Sequence, residues 1–257
     1  MKISIQNHKR KVNNVFVGLD YDGTLTAPGY PIFPELIQKI IDLERVGVSL
    51  FFASGKSMAF IQHFVDQIGI SPRFICAENG GHVRDVGKGM ETIFGAQTDL
   101  DSFIQAIEKE PLPAHIDEDK ISIWTKRFGD NVDEAGSIIR KLVTEKVFNL
   151  SVYTHPDGAL DVVPDGIDKA NLLYFIPRDA IIHFVGDSHN DLRIMQNARV
   201  MPHTVANANQ EVKDLVARKG GYIAPTSVGH GVLVILRNIL ESTQSEMPID
   251  NNYYINA

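Results

Sequence analysis

Short apolar runs alternate with helix-patterned segments along most of this chain, and that alternation restricts the fold more than any other feature. Val15–Leu19 (VFVGL) runs straight into acidic, glycine-containing sequence, as a buried strand does. Pro34 opens a helical pattern that sets Leu36, Ile37, Ile40, Ile41 and Leu43 on one face, and Gly47 stops it. Val48–Ala53 reads as a second strand. Ser57–Ile68 reads as a helix with Phe60, Ile61, Phe64, Val65 and Ile68 inward, and Phe74–Ala77 as a third strand. Short links between such elements predict an α/β fold with a parallel, Rossmann-like sheet covered on both faces.

The rhythm breaks at Gly80-Gly81 and returns after Pro164. Lys169–Phe175 is helical in pattern, Ala180–Val185 (AIIHFV) is an apolar strand, and the alternation continues through Val232–Leu240. In between, Lys120–Lys126 (KISIWTK) alternates polar and apolar residues like a half-exposed strand, and residues 131–147 fit a helix. Leu150–Thr154 and Ala159–Val163 are short strands joined by the turn sequence His155-Pro156-Asp157-Gly158. Residues 1–81 and 164–257 are thus expected to form the core, and 82–163 an inserted α+β domain with an antiparallel sheet.

Composition removes several classes. The 257 residues carry 25 basic and 32 acidic side chains, a formal charge of -7, which disfavours a nucleic-acid partner. No apolar stretch approaches membrane-spanning length, and no secretory h-region is visible. Cys76 is the only cysteine, so no internal disulfide forms; a reducing, cytoplasmic setting is expected. Cys76 sits in FICA, where it reads as packing. Gly55-Lys56-Ser57 looks like the end of a nucleotide-binding loop, but that motif requires Gly where Leu50 stands. Oligomeric state is not legible.

Chemistry concentrates where strands end. Asp20-Tyr21-Asp22-Gly23-Thr24 follows the first apolar run, and Gly186-Asp187-Ser188-His189-Asn190-Asp191 follows Ala180–Val185. Ligands of open α/β sheets bind beyond the carboxyl ends of the strands. Two clusters of hard oxygen donors on that edge, Asp20 and Asp22 in one and Asp187 and Asp191 in the other, make a candidate Mg²⁺ site. Ser54-Gly55 follows the second strand and is read as opening a helix, where a hydroxyl and free N–H groups would meet an anion. Lys169 supplies a fixed cation. His189 reads as a solvent-facing loop residue, and Trp124 as either a sugar-stacking ring or part of the insert's core.

These segments resemble, in order, the four motifs of the haloacid dehalogenase superfamily of phosphotransferases: Asp20 to Thr24, Ser54, Lys169, and Gly186 to Asp191. The insert falls between the second and third motifs, the place of a C2 cap, and its content is similar to the C2B type. Ala77-Glu78-Asn79-Gly80-Gly81 resembles the link that precedes such caps. Cof-type sugar phosphatases, sucrose-phosphate phosphatase, mannosyl-3-phosphoglycerate phosphatase and eukaryotic-type phosphomannomutases share this plan. The mutase likeness is local, in Asp22 to Pro28, Pro164 to Lys169 and Ile182-His183-Phe184. The mutase's arginine-rich cap pattern is missing: residues 82–163 hold only Arg84, Arg127 and Arg140.

The resemblance implies a Mg²⁺-dependent phosphatase of a small phosphorylated metabolite, a sugar phosphate above all, with a phosphosugar mutase as the alternative. It implies that Asp20 is the nucleophile and Asp22 the acid and base. Ser54, Gly55, Lys169 and Asn190 become the candidate phosphate contacts, and Asp191 a support for the metal.

Overall fold

The computed structural model describes residues 14–95, 97–110, 114–116, 120–123, 132–145, 148–154 and 160–245. Two sheets organise them. The large sheet has seven strands: β1 (Val15–Leu19), β2 (Ser49–Ala53), β3 (Phe74–Ala77), β4 (His82–Asp85), β5 (Met90–Ile93), β10 (Ile181–Val185) and β11 (Val200–His203), in the order β11-β10-β1-β2-β3-β4-β5. β1, β2, β3, β10 and β11 pair in parallel. Val15, Val17 and Leu19 of β1 pack into one apolar cluster and Phe16 into another, so both faces of the strand are covered. That is why VFVGL reads as a continuous run rather than an alternation.

Helices α1 (Pro34–Val46) and α2 (Met58–Ile68) join the first three strands. α1 starts on Pro34 and ends on Gly47 in the left-handed conformation. Helix α2 begins one residue later than the pattern implies, because Ser57 is its N-cap and accepts from the Phe60 N–H. Ser54 therefore caps no helix. The expected helix at Lys169–Phe175 is a 3₁₀ stretch, Lys169–Tyr174, capped by the Asp168 carboxylate. Helices α5 (Leu192–Gln196), α6 (Gln210–Arg218) and α7 (Val228–Ser245) close the order; no helix of the described residues is long and apolar enough to cross a membrane.

The second sheet is antiparallel, in the order β6-β7-β9-β8, from β6 (Ala114–Ile116), β7 (Ile121–Ile123), β8 (Leu150–Thr154) and β9 (Leu160–Pro164). Helices α3 (Gln97–Ile107) and α4 (Val132–Glu145) pack on it. Ile121, Ile123, Leu160 and Val162 turn toward Leu100, Phe103, Ile107 and Ile139 of those helices. By the two-residue period, Lys120, Ser122 and Asp161 belong to the opposite face.

One boundary differs from expectation. Residues 82–93, grouped from sequence with the insert, form β4 and β5 of the large sheet. The reason is local. Asn79 and Gly80 adopt φ of 54° and 102°, which turns the chain back so that β4 pairs antiparallel with β3. A four-residue strand is too short to show which sheet it joins.

Candidate active site

Asp20 follows β1, Ser54 follows β2 and Asp187 lies two residues past β10. All three are therefore at the carboxyl edge of neighbouring strands. The Leu19–Val185 register sets β1 and β10 level, and the Asp20 N–H donates to the Val185 carbonyl at 3.0 Å. Asp20, Asp187 and Asp191 each bring a carboxylate oxygen to within 4.8 Å of the other two.

Lys169 ties this group together. Its Nζ donates to Asp20 Oδ1 and to Asp191 Oδ1, both at 2.7 Å, and the lysine is fully buried. Asp191 Oδ2 accepts from the N–H groups of Asp187 and Ser188 at 2.9 and 3.1 Å, which folds GDSHND around its last residue. Thr24 Oγ1 donates to Asp187 Oδ1 at 2.9 Å. Gly23, at φ 77°, carries the chain past that carboxylate: a Cβ there would stand 2.3 Å from Asp187 Oδ2. Glycine is required at that point both by backbone conformation and by space.

Three acids and one amine leave the cluster negative when all are ionised. Burial pushes the Asp20 carboxyl up to about 6, against the pull of Lys169 and with Asp191 adding to the rise. Burial, then Asp20 and Asp191, drive Asp187 up to about 8 despite the Thr24 hydrogen bond. Burial would lower the Lys169 amine, but Asp191 and Asp20 outweigh it and hold it above its ordinary value. Hard oxygen donors gathered at such electrostatic cost fit a divalent cation, which removes the repulsion that a lone lysine leaves.

The other expected residues divide. The Asp22 carboxylate is outside the three-acid cluster; it pairs with Lys56 Nζ at 3.0 Å, half-exposed. Ser54 is buried, and its Oγ accepts from the Lys56 N–H at 3.1 Å. The Gly55 carbonyl accepts from Lys120. Asn190 does not stand alone: its Nδ2 donates to Asn79 Oδ1 at 3.0 Å. His189 is exposed and pairs with Glu211. Cys76 is buried, and burial pushes its thiol up to about 12, so it packs and does not react. Trp124 lies outside the described residues.

Five further residues join the site, Lys56 beside Asp22 among them. Thr24 stood in the quoted motif without a role, and Asn79 in the link before the insert. Lys120 and Asp161 carried no signal, since they are ordinary polar positions of alternating strands.

The model of the haloacid dehalogenase-like hydrolases matches this chain in two overlapping segments, residues 17–130 and 114–234. A phosphomannomutase of Triticum aestivum is 26% identical over 239 residues, covering 79% of this chain and 95% of that protein. Among solved structures, a haloacid dehalogenase-like hydrolase from Bacteroides thetaiotaomicron superposes with a TM-score of 0.72 at 18% identity, covering 88% of this chain and 99% of the other. The sucrose-phosphatase of Synechocystis sp. PCC6803, solved with sucrose and phosphate, gives 0.64 at 18% identity over 88% and 97%. With its strand-end acids, its parallel sheet and this match over most of its length, the chain belongs to the haloacid dehalogenase-like hydrolase family.

Proposed function

We propose that this chain is a phosphatase of small phosphorylated metabolites, sugar phosphates first, working through an aspartyl phosphate on Asp20. The observation that carries the reading is the buried Lys169, clamped between Asp20 and Asp191 with Asp187 in the same cluster. Lys169 holds Asp20 Oδ1 and so restricts the rotation of the carboxylate. In the first half-reaction an Asp20 oxygen forms a bond to phosphorus, the ester P–O bond breaks, and Asp22 gives its proton to the departing alcohol. In the second, Asp22 takes a proton from water, the water oxygen attacks phosphorus, and Asp20 and inorganic phosphate are released. Lys56 holds the Asp22 carboxylate in place for both. Ser54 and Lys169 offer donors to the phosphoryl oxygens. Asp20, Asp187 and Asp191 would hold Mg²⁺, which when bound offsets charge on the phosphoryl group. The second sheet with α3 and α4 is the cap that covers the site and reads the leaving group.

The mutase reading keeps one specific support, the likeness to phosphomannomutases over nearly their whole length. A mutase returns the phosphoryl group to sugar. A panel of hexose phosphates, phosphoglycolate, phosphoglycerate sugars and nucleotides, with and without Mg²⁺, decides. Stoichiometric inorganic phosphate from at least one ester, dependent on Mg²⁺, is the expected result. Isomerised hexose phosphate, formed only with a bisphosphate activator and little free phosphate, would establish the mutase instead.

Proton linkage gives an independent check on the metal. Asp20 and Asp187 bind protons more tightly folded than unfolded. Their contribution to stability is complete below the ordinary carboxylate value and is lost as pH rises through about 6 and about 8. In EDTA the thermal midpoint should therefore fall between pH 5.5 and 8.5. Mg²⁺ favours the ionised acids, so its stabilising effect should grow across the same window and flatten the curve. Parallel curves with and without Mg²⁺ would remove these carboxylates from metal binding.

A further inference from the structure

The polar face of the second sheet meets the strand ends at one place. Lys120 Nζ, almost wholly buried, donates to the Gly55 carbonyl at 2.6 Å and to Asp161 Oδ2 at 3.1 Å, with the Glu78 carboxylate 3.8 Å away. Ser122, the cross-strand partner of Asp161, donates to Asp161 Oδ1 at 2.9 Å. Asn79 Nδ2 donates to Asp161 Oδ2 at 3.1 Å, and Asn79 Oδ1 accepts from Asn190. Asn190 Oδ1 in turn accepts from Ser188 Oγ at 2.5 Å, beside the N–H groups that hold Asp191. An unbroken chain of hydrogen bonds thus runs from β7 and β9 to the loop that carries Asp187 and Asp191, with a branch to the residue after Ser54.

The backbone beneath is built to the same end. Glu78 and Asn79 both have φ above 50°, a region that residues other than glycine adopt at a cost of about 1–3 kcal/mol each. They are held there by N–H donation from Glu78 to the Lys56 carbonyl and from Asn79 to the Ser54 carbonyl. If the contact served only to hold two sheets together, apolar side chains would do it at lower cost than a buried lysine and buried acids. A buried network of directional hydrogen bonds between Lys120, Ser122, Asp161, Asn79 and Asn190 sets geometry instead.

We infer that Lys120 and Asp161 are positioning residues of the catalytic loops, acting through Gly55 and through Asn79 and Asn190 to fix the 54–56 and 186–191 segments when the second sheet is seated. This rests on the phosphatase reading of the site, and the test separates the two. Lys120→Met, Lys120→Arg and Asp161→Asn are made in the full chain. Each is measured for kcat and KM on p-nitrophenyl phosphate with Mg²⁺, for thermal midpoint, and for amide hydrogen exchange.

Lys120→Met should lower kcat by about 10–100-fold, the usual effect of losing a partner that orients a ligand. KM should change less than about threefold. Exchange should quicken in 54–56 and 186–191 specifically, and Lys120→Arg should recover most of kcat. Asp161→Asn, which keeps the shape and can still accept from Lys120 and Asn79, should fall between. A folded Lys120→Met with unchanged kcat overturns the assignment, as does a raised KM at unchanged kcat, which would make Lys120 a substrate contact. Should Lys120→Met fail to fold, unchanged exchange of both loops in Asp161→Asn overturns it equally. Faster exchange of the two loops in a chain that hydrolyses nothing would sink the phosphatase reading and leave the positioning role standing.

Discussion

Asp20→Asn is expected to hydrolyse no phosphate ester above background while folding at least as well as the parent chain. Loss of a nucleophile typically removes on the order of 10⁴-fold or more of the rate. An amide cannot form the acyl phosphate, and neither Asp187 nor Asp191 can replace it, because Thr24 and two backbone N–H groups hold those carboxylates in other orientations. The fold should survive because Lys169 keeps its 2.7 Å bond to Asp191. One of three crowded acids is gone, so without a metal the thermal midpoint should equal or exceed the parent's at pH 8, where Asp20 is ionised. Stabilisation by Mg²⁺ should shrink in parallel. Turnover assays, circular dichroism and melts in EDTA and in Mg²⁺ check all three. Parent-like turnover from folded Asp20→Asn protein would end the nucleophile assignment.

What was legible in the sequence follows from how far apart the deciding interactions lie. Strands such as VFVGL are buried on both faces by partners from distant segments, yet burial itself writes a continuous apolar run that can be read locally. The acids at positions 20, 187 and 191 were legible because a strand end and a turn leave the same local trace whatever the rest of the chain does. The family match bears out the fold and the family they pointed to. The side of the sheet that residues 82–93 join was not legible. It depends on three consecutive residues of positive φ, Glu78, Asn79 and Gly80, of which only Gly80 announces itself in the composition. Nor was the partner of Asp22: Lys56 reaches it from another strand end, and a lysine in a loop carries no mark of its partner. Lys120 and Asp161 are the extreme case. Their pairing needs two strands in register, their bonds to Gly55 and Asn79 need two sheets in contact, and no single stretch of sequence records either.

Lys169→Met should be the most destabilising single change in the site, and its size should depend on pH. The lysine is fully buried and satisfies one oxygen on each of two buried carboxylates. Breaking a buried ion pair from one side costs about 3–5 kcal/mol, because the other charge stays behind unpaired. In a chain of this size that is on the order of 10 °C in the thermal midpoint. Asp20 and Asp187 have an escape, however: they can take up protons. Lys169 now lowers the proton affinity of Asp20 and of Asp187, so its removal raises both further above the ordinary carboxylate value. Below that raised range the acids are neutral and the loss is small; as pH climbs through it they ionise into a site with no cation, and the loss reaches full size. Melts in EDTA at pH 5.5 and pH 8.5 should therefore diverge from the parent with rising pH. Adding Asp191→Asn to Lys169→Met should restore part of the stability at pH 8.5 and none of the turnover, because the phosphoryl group still lacks its fixed amine. A destabilisation of the same size at both pH values would mean that Lys169 matters to the fold through its packing alone, and the electrostatic account of the site would fall with it.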